Sequence, residues 1–253
     1  MLAAERRDLY LARLMSDGKL VARDLAEELG LSEDSIRKDL RELAAAGLAQ
    51  RVYGGALPVS RALGTLSERS TIETAGKRAI AASAIELIKP GMTAILDGGT
   101  TTRAIVELLP RDLDATIVTH SPTIAAALID HAVDVFLIGG RLFKHSAVTS
   151  GAAAAEAAMA VSADLFLMGV TGVHPTAGLT TGDADEAAMK RLLSRRSAET
   201  WVLASAEKVG AASPYAVVAL DEIAGVITDS QASATLGSLE ALGVEVRLAR
   251  TGG

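Results

Sequence analysis

Apolar residues recur at helical spacing from the start of the chain. Tyr10, Leu11 and Leu14 share one face, and Asp17-Gly18 ends that first helix. Val21, Leu25 and Leu29 form the stripe of a second, short helix that stops at Gly30. Its start is weakly specified, because Ala22 stands where a Ser or Asp cap is expected. Ser32 caps a third helix, with Glu33 and Asp34 in the first turn, where the helix dipole favours acids. On that helix Ile36, Leu40 and Leu43 cluster on one side, Lys38 and Arg41 point nearly opposite, and Arg37 lies on the flank. Gly47 closes it, and LAQRVYGGA then reads as a small hairpin carrying Arg51. Two short helices joined by a tight GLS turn, the second exposing basic groups, predict a helix-turn-helix, with the hairpin as its wing.

The steady pattern lapses between Leu57 and Arg78, where Pro58, Ser60, Gly64 and Gly76 punctuate the chain. We place a linker at 58–75, after a first domain at 1–57, with part of it packed as a helix or strand on a second domain at 76–253. In that domain helical and strand patterns alternate. AIAASAIELI, TRAIVELL and PTIAAALI precede the strands TAILD, ATIVTH and VDVFLIGG. Then come AAAAEAAMAV, DLFLMGV, DEAAMKRLLSRR, ETWVLA, GVITD, QASATLGSLEAL and VEVRLA. Continuous aliphatic strands alternating with helices predict an α/β domain with a parallel, Rossmann-like sheet covered on both faces. Strand after strand ends in polar and glycine residues: GGTTT, THS, GGR, GVTG and SAEK. Such clusters at the carboxyl edge of a parallel sheet point to a ligand pocket.

The run LDGGTTT at 96–102 is the most chemical of these. Gly98 and Gly99 allow a tight turn, and Thr100, Thr101 and Thr102 supply hydroxyls, with Thr100 or Thr101 placed to cap the next helix. Backbone N–H groups and a positive helix end favour an anion there. No GK[ST] follows, so this is not a Walker loop. Asp97 would be repelled by a bare phosphate but can accept from sugar hydroxyls, so the loop suits a polyol phosphate.

Composition narrows the classes. With 49% apolar but only 3% aromatic residues, the core must be built from small aliphatics. The absence of cysteine excludes disulfides, thiolate nucleophiles and zinc fingers, and suits a reducing cytoplasm. The opening MLAAERRDLY reaches Glu5 and Arg6 before any apolar stretch, and no uncharged apolar run approaches the roughly 18 residues of a membrane span. We therefore expect a cytoplasmic protein with no signal peptide and no membrane partner. Scattered histidines give no metal-ligand spacing, and no cofactor is indicated. Residues 1–60 hold nine Lys/Arg against ten Asp/Glu, a net −1, and the rest carries 16 − 21 = −5. DNA binding is thus expected to be weak without specific contacts and to need at least a dimer on paired half-sites.

The stretch ERRDLYLARLMSDGKLVARDLAEELGLSEDSIRKDLRELAAAGLAQRVYGGA closely resembles the N-terminal domain of DeoR-family bacterial transcription regulators. Lys38 stands where the family often has a second Arg, and Tyr53 where it often has His. The resemblance makes Ser32, Ser35, Arg37, Lys38, Arg41 and Arg51 the candidate DNA-binding residues. Over about 77–230, the motifs LDGGTTT, VTHS, LIGG, GLTTGDADEAAMKR and ASAEK resemble the DeoR-family C-terminal sensor domain, which is similar in fold to ribose-5-phosphate isomerase. It implies effector-binding roles for Asp97, Gly98, Gly99, Thr100, Thr101, Thr102, Thr119, Gly140, Asp183, Glu186, Lys190 and Lys208. His120 replaces a common Asn, which puts the hydrogen bond at that position in question. An isomerase needs a base and an acid at the substrate. Isomerases of this fold place carboxylates on the loop after the strand aligned with LFLMGV, where this chain has Thr171-Gly172-Val173, and Asp183 reads as a helix cap. The expectation is therefore a repressor of a carbohydrate-utilisation operon, a homo-oligomer (dimer or tetramer) that binds operator DNA and is controlled by a phosphorylated sugar. The alternative is an isomerase-like enzyme fused to a DNA-binding module.

Overall fold

The computed structural model describes residues 2–231 and 234–250. Residues 232 and 233 of the expected helix QASATLGSLEAL, and 251–253 of the expected second domain, lie outside them.

Three helices, Ala3–Asp17, Ala22–Leu29 and Glu33–Ala45, pack around Tyr10, Leu14, Leu25, Ile36, Leu40 and Leu43. Gly18 and Gly30 close the first two in left-handed conformation, and the Ser32 side chain accepts from the Ser35 amide at 3.3 Å. The wing is the hairpin Gln50–Val52 and Gly55–Leu57, extended by a two-residue strand, Leu20–Val21, that the sequence pattern does not reveal. That strand corrects the stripe expected for the second helix. Val21 belongs to the strand and is 36% exposed, while Ala22, Leu25 and Ala26 face the core. Arg6 forks onto Asp39 at 2.7 and 3.0 Å, and the Tyr10 hydroxyl donates to the same carboxylate at 3.1 Å. This locks the first helix to the third.

The second unit is built on a seven-stranded sheet in the order Glu245–Leu248, Gly225–Thr228, Ser197–Leu203, Ala163–Gly169, Thr93–Leu96, Thr116–Thr119, Asp134–Leu137. Every neighbouring pair runs parallel. Alternate side chains therefore enter opposite layers. Ile95, Phe166, Met168, Val202 and Val226 pack against helices Ala152–Met159, Ala184–Arg195 and Ala234–Ala241. Ala94, Leu96, Leu165, Leu167, Trp201 and Leu203 pack against Thr74–Ile85, Thr100–Leu108 and Pro122–Ala127. Two small antiparallel additions escaped the sequence pattern because their strands are two to four residues long. One is the hairpin Arg141–Phe143 with Val148–Ser150; the other joins Gly172–His174, Gly178–Thr181 and Tyr215–Ala216.

The segment after the wing is folded against the second unit. Val59 bridges to Ala212, the Ser60 hydroxyl donates to the Thr171 carbonyl, and helix Leu66–Ser70 is capped reciprocally by Thr65 and Glu68. Among the described residues no helix is long and apolar enough to cross a membrane.

Candidate functional site

From Thr93–Leu96 the strand order proceeds to one side through Thr116–Thr119, and to the other through Ala163–Gly169. The order of strand addition reverses between the parallel neighbours Thr93–Leu96 and Ala163–Gly169, and ligands of open α/β sheets bind beyond the carboxyl ends of strands at such a point. A cleft opens there. It is lined by Gly98 to Thr102, by Gly169 to Thr171, by Ser146, Glu186 and Lys190, by Glu207 and Lys208, and by Arg69 and Lys77.

The turn has strict steric requirements. A Cβ on Gly98 would lie 2.2 Å from Val148 Cγ1, and Gly99, at φ 125°, is itself the N-cap of helix Thr100–Leu108. No side chain caps that helix, which corrects the role expected of Thr100 or Thr101. The Thr101 hydroxyl is buried and has no hydrogen-bond partner among the described residues.

Asp97 lies beneath the turn and is fully buried. Oδ1 accepts from the Gly98 amide at 2.8 Å and from His120 Nε2 at 2.7 Å; Oδ2 accepts from the Gly169 amide at 2.8 Å and from Lys190 Nζ. Burial pushes this carboxyl up, but Lys190 and His120 outweigh it and hold it well below the usual range. Asp97 therefore staples the two strands at the reversal point, and no oxygen is left for a sugar hydroxyl. His120, where the family often has Asn, does make the bond in question, and its Nδ1 lies 3.2 Å from the Thr149 carbonyl.

Three further expected residues stand away from the cleft lining. Thr119 is fully buried and its hydroxyl accepts from the Ser121 amide at 3.1 Å. Gly140, at φ 144°, packs against Ala154 and the Ser150 carbonyl. Asp183 caps helix Ala184–Arg195 by accepting from the Glu186 amide at 3.0 Å. Thr119 and Gly140 are held in packing, whereas Asp183 also lines a cavity that adjoins the cleft through Arg69, Ser146, Thr171 and Glu186. Glu186 and Lys190, one helical turn apart, do reach the cleft, 3.2 Å from each other. Ser146 donates to the second Glu186 oxygen at 3.0 Å.

Sequence reasoning missed Arg69, Lys77, Ser146, Thr171 and Glu207. Arg69 came from the segment taken as linker, though the T-x-x-E box at Thr65 to Glu68 signals the helix that carries it. Its Nε and Nη2 are buried and without partners among the described residues. Burial lowers its pKa against the pull of Glu186 and Asp97. Lys77 Nζ donates to the Arg69 carbonyl at 2.5 Å, fixing that helix over the turn. Burial also lowers Lys77, and pushes Lys208 down to about 8, with Glu207 opposing and the neighbouring cations adding to the shift. The cleft holds about 510 Å³ of empty space, open mouth included, and little of it is wide enough for a water molecule.

In the first unit, Ser32, Arg37, Lys38, Arg41 and Arg51 are exposed and Ser35 is partly so. The Ser32 hydroxyl is engaged in capping. Arg37 pairs with Glu33 at 2.5 Å and lies 3.6 Å from Asp34, and Lys38 approaches Glu42 at 4.0 Å. Arg41 and Arg51 form no ion pair among the described residues. The exposed face of helix Glu33–Ala45 thus carries three cations, Arg37, Lys38 and Arg41, against three acids, Glu33, Asp34 and Glu42.

A winged helix-turn-helix followed by a parallel α/β unit with a cationic cleft at its reversal point defines a DNA-binding regulator with an attached sensing domain. The chain matches the DeoR-like helix-turn-helix domain over residues 6–62 and the DeoR C terminal sensor domain over 72–230. It is 35% identical to the HTH-type transcriptional regulator GlpR of Haloferax volcanii, over 97% of this chain and 98% of that one. It is 32% identical to a putative aga operon transcriptional repressor of Escherichia coli O157:H7, over 97% and 93%. Solved structures similar to it include ribose 5-phosphate isomerase A from Methanocaldococcus jannaschii (17% identity, 52% of each chain, TM-score 0.39). The full-length sorbitol operon regulator SorC from Klebsiella pneumoniae is another (13% identity, 81% of this chain and 91% of that chain, TM-score 0.38). The chain belongs to the DeoR family of helix-turn-helix transcriptional regulators.

Proposed function

We propose that this regulator represses a carbohydrate-utilisation operon and is controlled by a phosphorylated sugar bound in the cleft at residues 98–102. The observation that carries this reading is the pair of unpartnered Arg69 nitrogens buried over a glycine–threonine turn, with Lys208 beside them. Buried donors of this kind are costly unless an acceptor arrives, and a phosphate offers several oxygens in the geometry that guanidinium prefers. In this reading the DNA-binding unit is 1–57 and the sensing unit 76–253. Segment 58–75 connects them and lends Arg69 to the cleft. The helix Glu33–Ala45 enters the major groove, with Ser35, Arg37, Lys38 and Arg41 at the base edges or groove rims and Arg51 on the backbone or minor groove. Two copies or more, in the cytoplasm, place paired helices on an operator.

The competing reading, a sugar-phosphate isomerase fused to a DNA-binding module, would use Glu207 or Glu186 as base. Glu186 is paired to Lys190 and Ser146, and the loop Val170–Thr171 brings no carboxylate. Thermal unfolding with a panel of pentose and hexose phosphates tests the proposal. Sugar phosphates raise the midpoint and their unphosphorylated parents leave it nearly unchanged. Equal stabilisation by both, or turnover of a sugar phosphate by the pure protein, contradicts it.

A further inference from the structure

We propose that Glu207 is the residue through which the cleft demands a hydroxyl on its ligand, so that the effector is a polyol phosphate and not a phosphate or acid anion alone. This rests on the reading of the cleft as a phosphate site. Two carboxylates line the cleft. Both Glu186 oxygens are engaged, by Lys190 and by Ser146. Glu207 is different: one oxygen accepts from the Ser205 hydroxyl at 2.7 Å, while Oε2 is buried with no partner among the described residues.

The position is fixed by the fold. Strand Ser197–Leu203 runs into the 3-10 turn Ala206–Lys208, and the Ala206 amide donates to Asp229 Oδ1 at 2.9 Å, anchoring the turn to the neighbouring strand end. Glu207 and Lys208 therefore enter the cleft together. A buried carboxylate oxygen needs a donor. The phosphoryl group of a monoester dianion has none to give and repels it, and inorganic phosphate offers at most an acidic P–OH on the same repelling anion. A ligand that places its phosphate on Arg69 and the turn, and turns a hydroxyl toward Glu207, satisfies both. The acceptor role that the sequence suggests for Asp97 thus falls to Glu207, because Asp97 is fully occupied in the sheet.

The test is calorimetric titration of the full chain with inorganic phosphate and with whichever pentose or hexose phosphate gives the largest thermal shift. The wild type prefers the sugar phosphate. Glu207→Ala loses about ten- to a hundredfold of that preference, the worth of a hydrogen bond to a charged group. Its affinity for inorganic phosphate stays the same or tightens as a negative charge leaves. Glu207→Gln, which keeps the volume, moves the ratio in the same direction and guards against a packing defect in the alanine variant. Preference retained in both variants, or an equal loss of affinity for both probes, overturns the assignment of Glu207 alone. A wild type that favours no sugar phosphate over inorganic phosphate overturns the phosphate-sensor reading as well.

Discussion

Lys208 makes the cleft sensitive to pH. Its ammonium pKa is pushed down to about 8 from an ordinary 10.5, mainly by burial. Between those two values the unfolded chain holds the proton and the folded chain releases it, so this group's contribution to stability rises with pH across that window. Anion binding works in the opposite sense, because a phosphate binds the charged form. Affinity for a sugar phosphate is expected to begin falling as pH nears 8 and to fall further above it, and Lys208→Met removes that fall. A titration of dissociation constant against pH that declines equally in the variant contradicts the assignment. Asp97 answers to stability instead. Its lowered carboxyl stabilises the fold at neutral pH, and that contribution is lost as acid approaches the lowered value. Asp97→Asn takes the carboxylate from His120, leaves the buried Lys190 with Glu186 alone, and is expected to cost about 3–5 kcal/mol in urea unfolding; a loss below about 1 kcal/mol would remove it from the role of staple. The sequence shows the acid and the glycines of LDGGTTT side by side. It does not show that the partners of Asp97 stand 72 and 93 residues further on. Such a residue reads as ligand-facing until those long-range contacts are known.

Elements long enough to repeat their pattern were legible. The recognition helix shows Ile36, Leu40 and Leu43 buried and its basic residues exposed, as their spacing requires. The five inner strands of the sheet carry buried aliphatic runs, which left them readable, while the edge strands Asp134–Leu137 and Glu245–Leu248 are partly exposed. What failed was short or aperiodic: the strand Leu20–Val21, the two small antiparallel additions, and helix Leu66–Ser70, five residues announced only by its capping box. Arg69 was missed with that helix. On the recognition helix, Arg37 must leave Glu33 and Asp34 before it can fork onto a base. Arg37→Ala is expected to weaken operator binding by about 1–3 kcal/mol and to relax specificity at one position. Arg51→Ala on the wing should weaken binding to all sequences alike and make its salt slope shallower by about one. Shift assays at several salt concentrations separate the two, and unchanged operator affinity in Arg37→Ala contradicts its placement in the groove.

At the scale of the molecule, the path between the two sites is short in sequence. The wing ends at Leu57, Val59 and Ser60 are held by Ala212 and Thr171, and Arg69 already reaches the cleft. Thr171 belongs to both: it lines the cleft, and its carbonyl holds Ser60. A ligand that draws on Arg69 and crowds Thr171 therefore acts on the segment from which the DNA-binding unit hangs. It shifts DNA affinity only to the extent that it binds one arrangement of that segment better than the other. The most direct measurement is operator affinity of the full chain, by fluorescence anisotropy on its own promoter DNA, with and without the stabilising sugar phosphate, in wild type and Arg69→Met. The account predicts that the ligand changes wild-type affinity by about 5- to 150-fold, and that Arg69→Met binds the operator normally and does not respond. A wild type indifferent to every sugar phosphate that stabilises it, or an Arg69→Met protein that responds as the wild type does, would contradict it.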